Sequence, residues 1–106
     1  MASVPPTRLR LHLVTFDLPN PVPGDIRYRD IDRYLRAIGT MVMPLKQTRL
    51  VLTSLAPGLI VRSIQARIGL RGGVAVVPVG RRTRIFVNDP VLRTSVRRLI
   101  RRFGRP

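Results

Sequence analysis

Residues 17–24 read Asp-Leu-Pro-Asn-Pro-Val-Pro-Gly. Three prolines at alternate positions remove backbone donors and push their predecessors out of the helical region. No helix or strand can run through such a stretch. The chain before it must therefore finish its own element, and the chain after it must start a new one.

The segment before it, Arg-Leu-Arg-Leu-His-Leu-Val-Thr-Phe, alternates strictly. Leu9, Leu11, Leu13 and Thr15 fall on one face of a strand, and Arg8, Arg10, His12, Val14 and Phe16 on the other. The segment after it places Ile31, Tyr34, Leu35 and Ile38 at i, i+3, i+4 and i+7, the spacing of one helix face. Asp25 suits the N-cap of that helix and Gly39 its end, and Asp30 and Asp32 are expected early in it, where the macrodipole favours acids. Residues 40–54 read as two short strands broken near Pro44–Gln47, with Thr48–Thr53 the second. A helix from Pro57 to Ile68 follows, with Ile60, Val61, Ile64 and Ile68 on its buried stripe. Val74–Val79 reads as a buried strand ending near Gly80, and Thr83–Val87 as a further short strand. Asn88-Asp89-Pro90 is a helix start, with Asp89 as N-cap and Pro90 at the first helical position. The last helix, Val91–Phe103, carries Leu92, Val96, Leu99, Ile100 and Phe103 on its apolar face.

This order defines an α+β chain: a ferredoxin-like βαββαβ plait, with an extra short strand and a basic C-terminal helix. A flexible leader is expected over residues 1–7 and a single domain over 8–106. At 106 residues the chain is of single-domain size. Both helices of the plait are expected on one sheet face, leaving the other for solvent or a second copy.

Charge narrows the function. Twenty basic residues face five acidic ones, a net +15, and all the basic residues but Lys46 are arginine. A GC-rich genome favours arginine over lysine, but it does not explain the excess of positive charge. That excess implies a polyanionic partner, most simply nucleic acid. Cysteine is absent and His12 is the sole histidine, which excludes disulfides, thiolate metal sites and zinc fingers. The N-terminus lacks the apolar core of a signal peptide, and the longest apolar runs are too short to span a bilayer. A cytoplasmic protein without membrane contact is the expectation.

Few residues remain for catalysis. One histidine and no cysteine leave no triad of the usual form. Gly69–Gly73 is glycine-rich, but it follows a helix and precedes a strand, the reverse of a phosphate cradle. Asp17 is the one acid with no helix to cap. It is either a Mg²⁺ ligand at the strand's rim, on the side facing the plait's helices, or an Asx turn before Pro19. On the last helix Arg93, Arg97 and Arg101 are spaced by four, with Arg98 and Arg102 beside them. With Arg81, Arg82 and Arg84 they form the expected phosphate-binding surface, with little base discrimination.

The stretches Leu-Val-Thr-Phe-Asp-Leu-Pro-Asn-Pro (13–21), Tyr-Arg-Asp-Ile-Asp-Arg-Tyr-Leu-Arg-Ala-Ile-Gly (28–39) and Pro-Leu-Lys-Gln-Thr-Arg-Leu-Val-Leu-Thr-Ser (44–54) carry a resemblance. Over roughly residues 9–80 the chain resembles the Cas-two family of small CRISPR-associated proteins and its VapD-like relatives, as a divergent member. The helix pattern matches at Tyr28, Ile31, Leu35, Ile38 and Gly39. The resemblance implies a ferredoxin-like homodimer and, in CRISPR-based antiviral defence, a scaffold that holds duplex DNA for a partner integrase. It also implies that Asp17 is the Mg²⁺ site of a disputed endonuclease activity on RNA or DNA, or of a VapD-like toxin ribonuclease. Two departures stand out. Gln47 and Thr48 occupy the place where the family often has a serine, and the polybasic terminal helix is not a typical feature.

Overall fold

The computed structural model describes residues 9–69 and 71–104. The expected leader, 1–7, lies outside them. Seven elements follow in order: β1 (Arg10–Asp17), α1 (Ile26–Ile38), β2 (Gly39–Leu45), β3 (Thr48–Thr53), α2 (Pro57–Ile68), β4 (Gly73–Pro78) and α3 (Pro90–Phe103). The sheet order is β2-β3-β1-β4, and every neighbouring pair is antiparallel. This is the ferredoxin-like plait with a C-terminal helix added.

Strand parity divides the core in two. Val14 and Phe16 of β1 and Val51 of β3 point to one face, where Ile31 and Leu35 of α1 and Ile60, Ile64 and Ile68 of α2 close over them. Leu11 of β1, with Leu50 and Leu52 of β3, points to the other face and meets Val96 and Ile100 of α3. The second sheet face is therefore covered at one end by the chain's own last helix, and only the remainder stays open to solvent or a second copy. That remainder includes the exposed Ala75 and Val77 and the half-buried Thr15 and Thr48.

Local chemistry sets the boundaries. Asp25 caps α1 by accepting from the Arg27 N–H. Asp89 caps α3 by accepting from the Val91 and Leu92 N–H groups, with Pro90 beginning the helix. α2 starts at Pro57 with no side-chain cap. Asp30 and Asp32 lie beyond the first turn of α1, so the macrodipole does not account for them. Asp32 instead pairs with Arg49.

Two strand expectations change. β4 is an outer strand, and Ala75, Val77 and Pro78 are exposed, so the apolar run is not fully buried. Its proline is tolerated because an outer strand can spare a donor; β2, the other outer strand, contains Pro44, next to a register shift between Val42 and Leu45. The extra strand at Thr83–Val87 does not form a ladder, and only an isolated bridge residue, Gly80, stands near it. The segment is instead tied to α3 at its end: Arg93 Nε donates to the Val87 carbonyl at 3.1 Å, and its terminal nitrogen donates to the Asn88 carbonyl at 3.2 Å.

Candidate nucleic-acid interface

The apolar stripe of α3 decides where its arginines go. Val96 and Ile100 are buried against the sheet, with Leu99 and Phe103 packed beside them. Arg97, Arg98, Arg101 and Arg102 are then forced outward, and all four are exposed. Their spacing places two rows along the outer surface of one helix. Arg102 lies over the ring of Phe103, 5.2 Å from its centroid.

The turn after β4 brings in the remaining arginines. Gly80 and Thr83 hold each other: the Gly80 N–H donates to Thr83 Oγ1 at 3.0 Å, and the Thr83 N–H donates to the Gly80 carbonyl at 3.0 Å. Arg81, Arg82 and Arg84 are exposed on and after this turn. The turn packs on the C-terminal end of α3, where Gly104 allows close approach. A Cβ there would lie 2.8 Å from the Arg81 nitrogen and 2.9 Å from its Cα. Arginines that are far apart in the sequence are thus brought to one region, where Arg84 and Arg97 line the same groove.

Arg93 does not belong to it. Its guanidinium is committed to the Val87 and Asn88 carbonyls, so it fastens the preceding segment to α3. The expected stripe of 93, 97 and 101 is shortened to its last two members.

Sequence density sets this surface apart from other basic regions. α3 carries five arginines and no acid, whereas α1 interleaves Asp30 and Asp32 with its arginines. The two ion pairs among the described residues also lie on the α1 side. Arg27 forms a fork on Asp25, at 2.9 Å to Oδ1 and 2.6 Å to Oδ2. It also donates to the Pro19 carbonyl at 2.9 Å, which ties the proline loop to the start of α1. This guanidinium, with the Arg27 and Val22 N–H groups, holds the Asp25 carboxyl well below the usual carboxylate range. Arg49, whose side chain is only 2% exposed, donates from Nε to Asp32 Oδ1 at 2.7 Å.

These pairs border an open groove of about 840 Å³ between the proline loop, α1 and the β2–β3 turn. Lys46 stands at its rim, 5.3 Å from the centroid of the Tyr28 ring. The groove went unnoticed in the sequence because its walls come from three separate segments. Its acids already engage two of the nearby cations, so it offers less free positive charge than α3.

Asp17 ends β1 opposite Gly73 and is exposed. Parity puts it with Leu11 and Leu13 on the α3 face, not on the face of α1 and α2. Its carboxylate has no hydrogen-bond or ion-pair partner among the described residues, and no Asx turn forms there. No cluster of three metal-ligating side chains occurs among the described residues. A Mg²⁺ ion at Asp17 would therefore draw its other ligands from water, from phosphate oxygens or from a second copy. His12 is fully buried on the α1/α2 face and cannot reach a substrate.

Compared with known proteins, the chain matches no family model, no curated protein and no solved structure. No helix among the described residues is long and apolar enough to cross a membrane.

Proposed function

We propose that this protein binds nucleic acid through its phosphates, on the surface formed by α3 and the turn after β4. The carrying observation is that Arg81, Arg82, Arg84, Arg97, Arg98, Arg101 and Arg102 are all exposed around one docked helix that contains no acid. Anionic lipid is the less suitable partner. A membrane-surface helix needs a free apolar face, and the apolar face of α3 is spent on the sheet. Guanidinium groups suit phosphate because their planar fork can donate two parallel hydrogen bonds.

Salt titration tests the proposal. Neutralising four to six phosphates gives a slope of about −4 to −5 in log affinity against log salt on duplex DNA. Replacing Arg97, Arg98, Arg101 and Arg102 together by alanine flattens that slope by several units. An affinity indifferent to salt, or a slope unchanged in the variant, rejects the proposal.

The resemblance of residues 13–21, 28–39 and 44–54 to the Cas-two family supports a narrower version: a cytoplasmic homodimer that holds nucleic acid for an integrase partner. A second reading, a Mg²⁺-dependent endonuclease, is favoured by the Asp17 carboxylate, which is exposed and has no partner among the described residues. In it a second copy would supply a further carboxylate. Cleavage of labelled duplex DNA or single-stranded RNA that needs Mg²⁺ and is lost in Asp17→Ala supports this reading, and cleavage that survives the substitution removes it.

A further inference from the structure

Phe86 is 90% exposed, the most open of the large apolar side chains described. It is not on a loose tail. The segment that bears it is fixed at one end by the Gly80–Thr83 pair of hydrogen bonds and at the other by Arg93. Ile85 and Val87, on either side, pack against the α3 cluster. Alternation then turns Arg84 and Phe86 outward together.

The ring forms a wall shared by two shallow grooves. One, of about 420 Å³, runs toward Asn88, Arg93 and Arg97. The other, of about 280 Å³, runs toward Thr83, Arg84 and Arg97. Arg84 and Arg97 therefore stand close to a held, solvent-facing aromatic. The nearest acid in sequence, Asp89, has its carboxylate engaged by the Val91 and Leu92 N–H groups. A ring bordered by cations is a poor seat for an apolar protein surface. It suits a flat π-system that carries its own negative charge.

We infer that Phe86 is a stacking platform for an unpaired nucleobase, with Arg84 and Arg97 holding the adjoining phosphates, so that the preferred ligand is single-stranded nucleic acid. The inference rests on the phosphate-binding reading above and adds a choice of strand state to it. Base–aromatic stacking contributes independently of phosphate neutralisation and tolerates any base. A duplex keeps its bases stacked inside and cannot use the ring.

The test uses the full chain with labelled oligo-dT and oligo-U of about 15 nucleotides, near the upper site size of single-strand binders, and a duplex of equal length. Phe86→Ala is expected to weaken single-strand binding about tenfold, while duplex affinity and the salt slope stay as in wild type. Loss in both single strands, or in only one, supports the inference and identifies which backbone is accepted. The substitution removes an exposed side chain, so the fold is preserved. Phe86→Trp adds a second readout, because the chain contains no tryptophan. Its indole fluorescence is quenched by the single strand and not by the duplex. Equal loss on both ligands, no loss on either, or an unquenched indole overturns the inference. If Phe86→Ala is silent while the four-arginine variant loses its salt slope, stacking fails and phosphate binding stands. If wild type binds no nucleic acid, both fail.

Discussion

Asp25 and Arg27 show how much one local pair can organise. The carboxylate caps α1, the guanidinium answers it, and the same guanidinium reaches back to the proline loop. Because the folded-state pKa of Asp25 is depressed, the pair's contribution is complete above the ordinary aspartate pKa of about 3.9. It fades as pH falls below that value, since the unfolded chain then takes up the proton first. Urea unfolding of wild type and Asp25→Asn from about pH 7 to about pH 3 checks this. Asparagine still caps, so the two proteins differ chiefly in charge, and the wild-type advantage should hold down to about pH 5 and begin to shrink toward about pH 3, without vanishing, because the folded carboxyl stays ionised well below the usual range. The capping role of Asp25 was legible in the sequence, and its pairing with Arg27 was not. Arg93 repeats the lesson, because helical spacing groups it with Arg97 and Arg101 but does not reveal two carbonyls within its reach. Asp17 was legible as a strand end, yet parity alone does not say which sheet face the helices will take.

Helices were the most legible elements. Their apolar spacing, their N-terminal acids or prolines and their closing glycines agree, and the structure follows them closely. The segment 83–87 was half legible. Its alternation reports which side chains face inward, as Ile85 and Val87 do, but not whether a neighbouring strand pairs with it. The same alternation, with Arg82 and Arg84 before it and Asn88 after it, marks Phe86 as outward-facing. At this scale Gly104 is the sensitive point. An alanine there meets the Ile100 carbonyl oxygen at 2.5 Å as well as the Arg81 backbone, and no rotamer change relieves either. Overpacking of this kind costs about 1–3 kcal/mol. Gly104→Ala is expected to lower the urea midpoint accordingly and to weaken nucleic-acid binding by separating the turn from α3. Gly58→Ala, which meets nothing within 4 Å, is the control.

For the whole molecule, the order of elements prescribed the plait, and the charge excess pointed to a polyanion. What the sequence did not disclose was the destination of α3. An amphipathic helix advertises an apolar face without saying what will receive it, and here the receiver is the chain's own sheet. Pairing between copies through that sheet face is thereby confined to its uncovered end, around Thr15, Ala75 and Val77. The prolines of the outer strands add a further restriction. A visiting strand laid along β2 or β4 would find a missing donor at Pro44 or Pro78. With its flanks blunted in this way, the protein is poorly suited to joining its kin backbone to backbone. Whatever pairing its copies adopt would then be written in side chains rather than in a shared sheet.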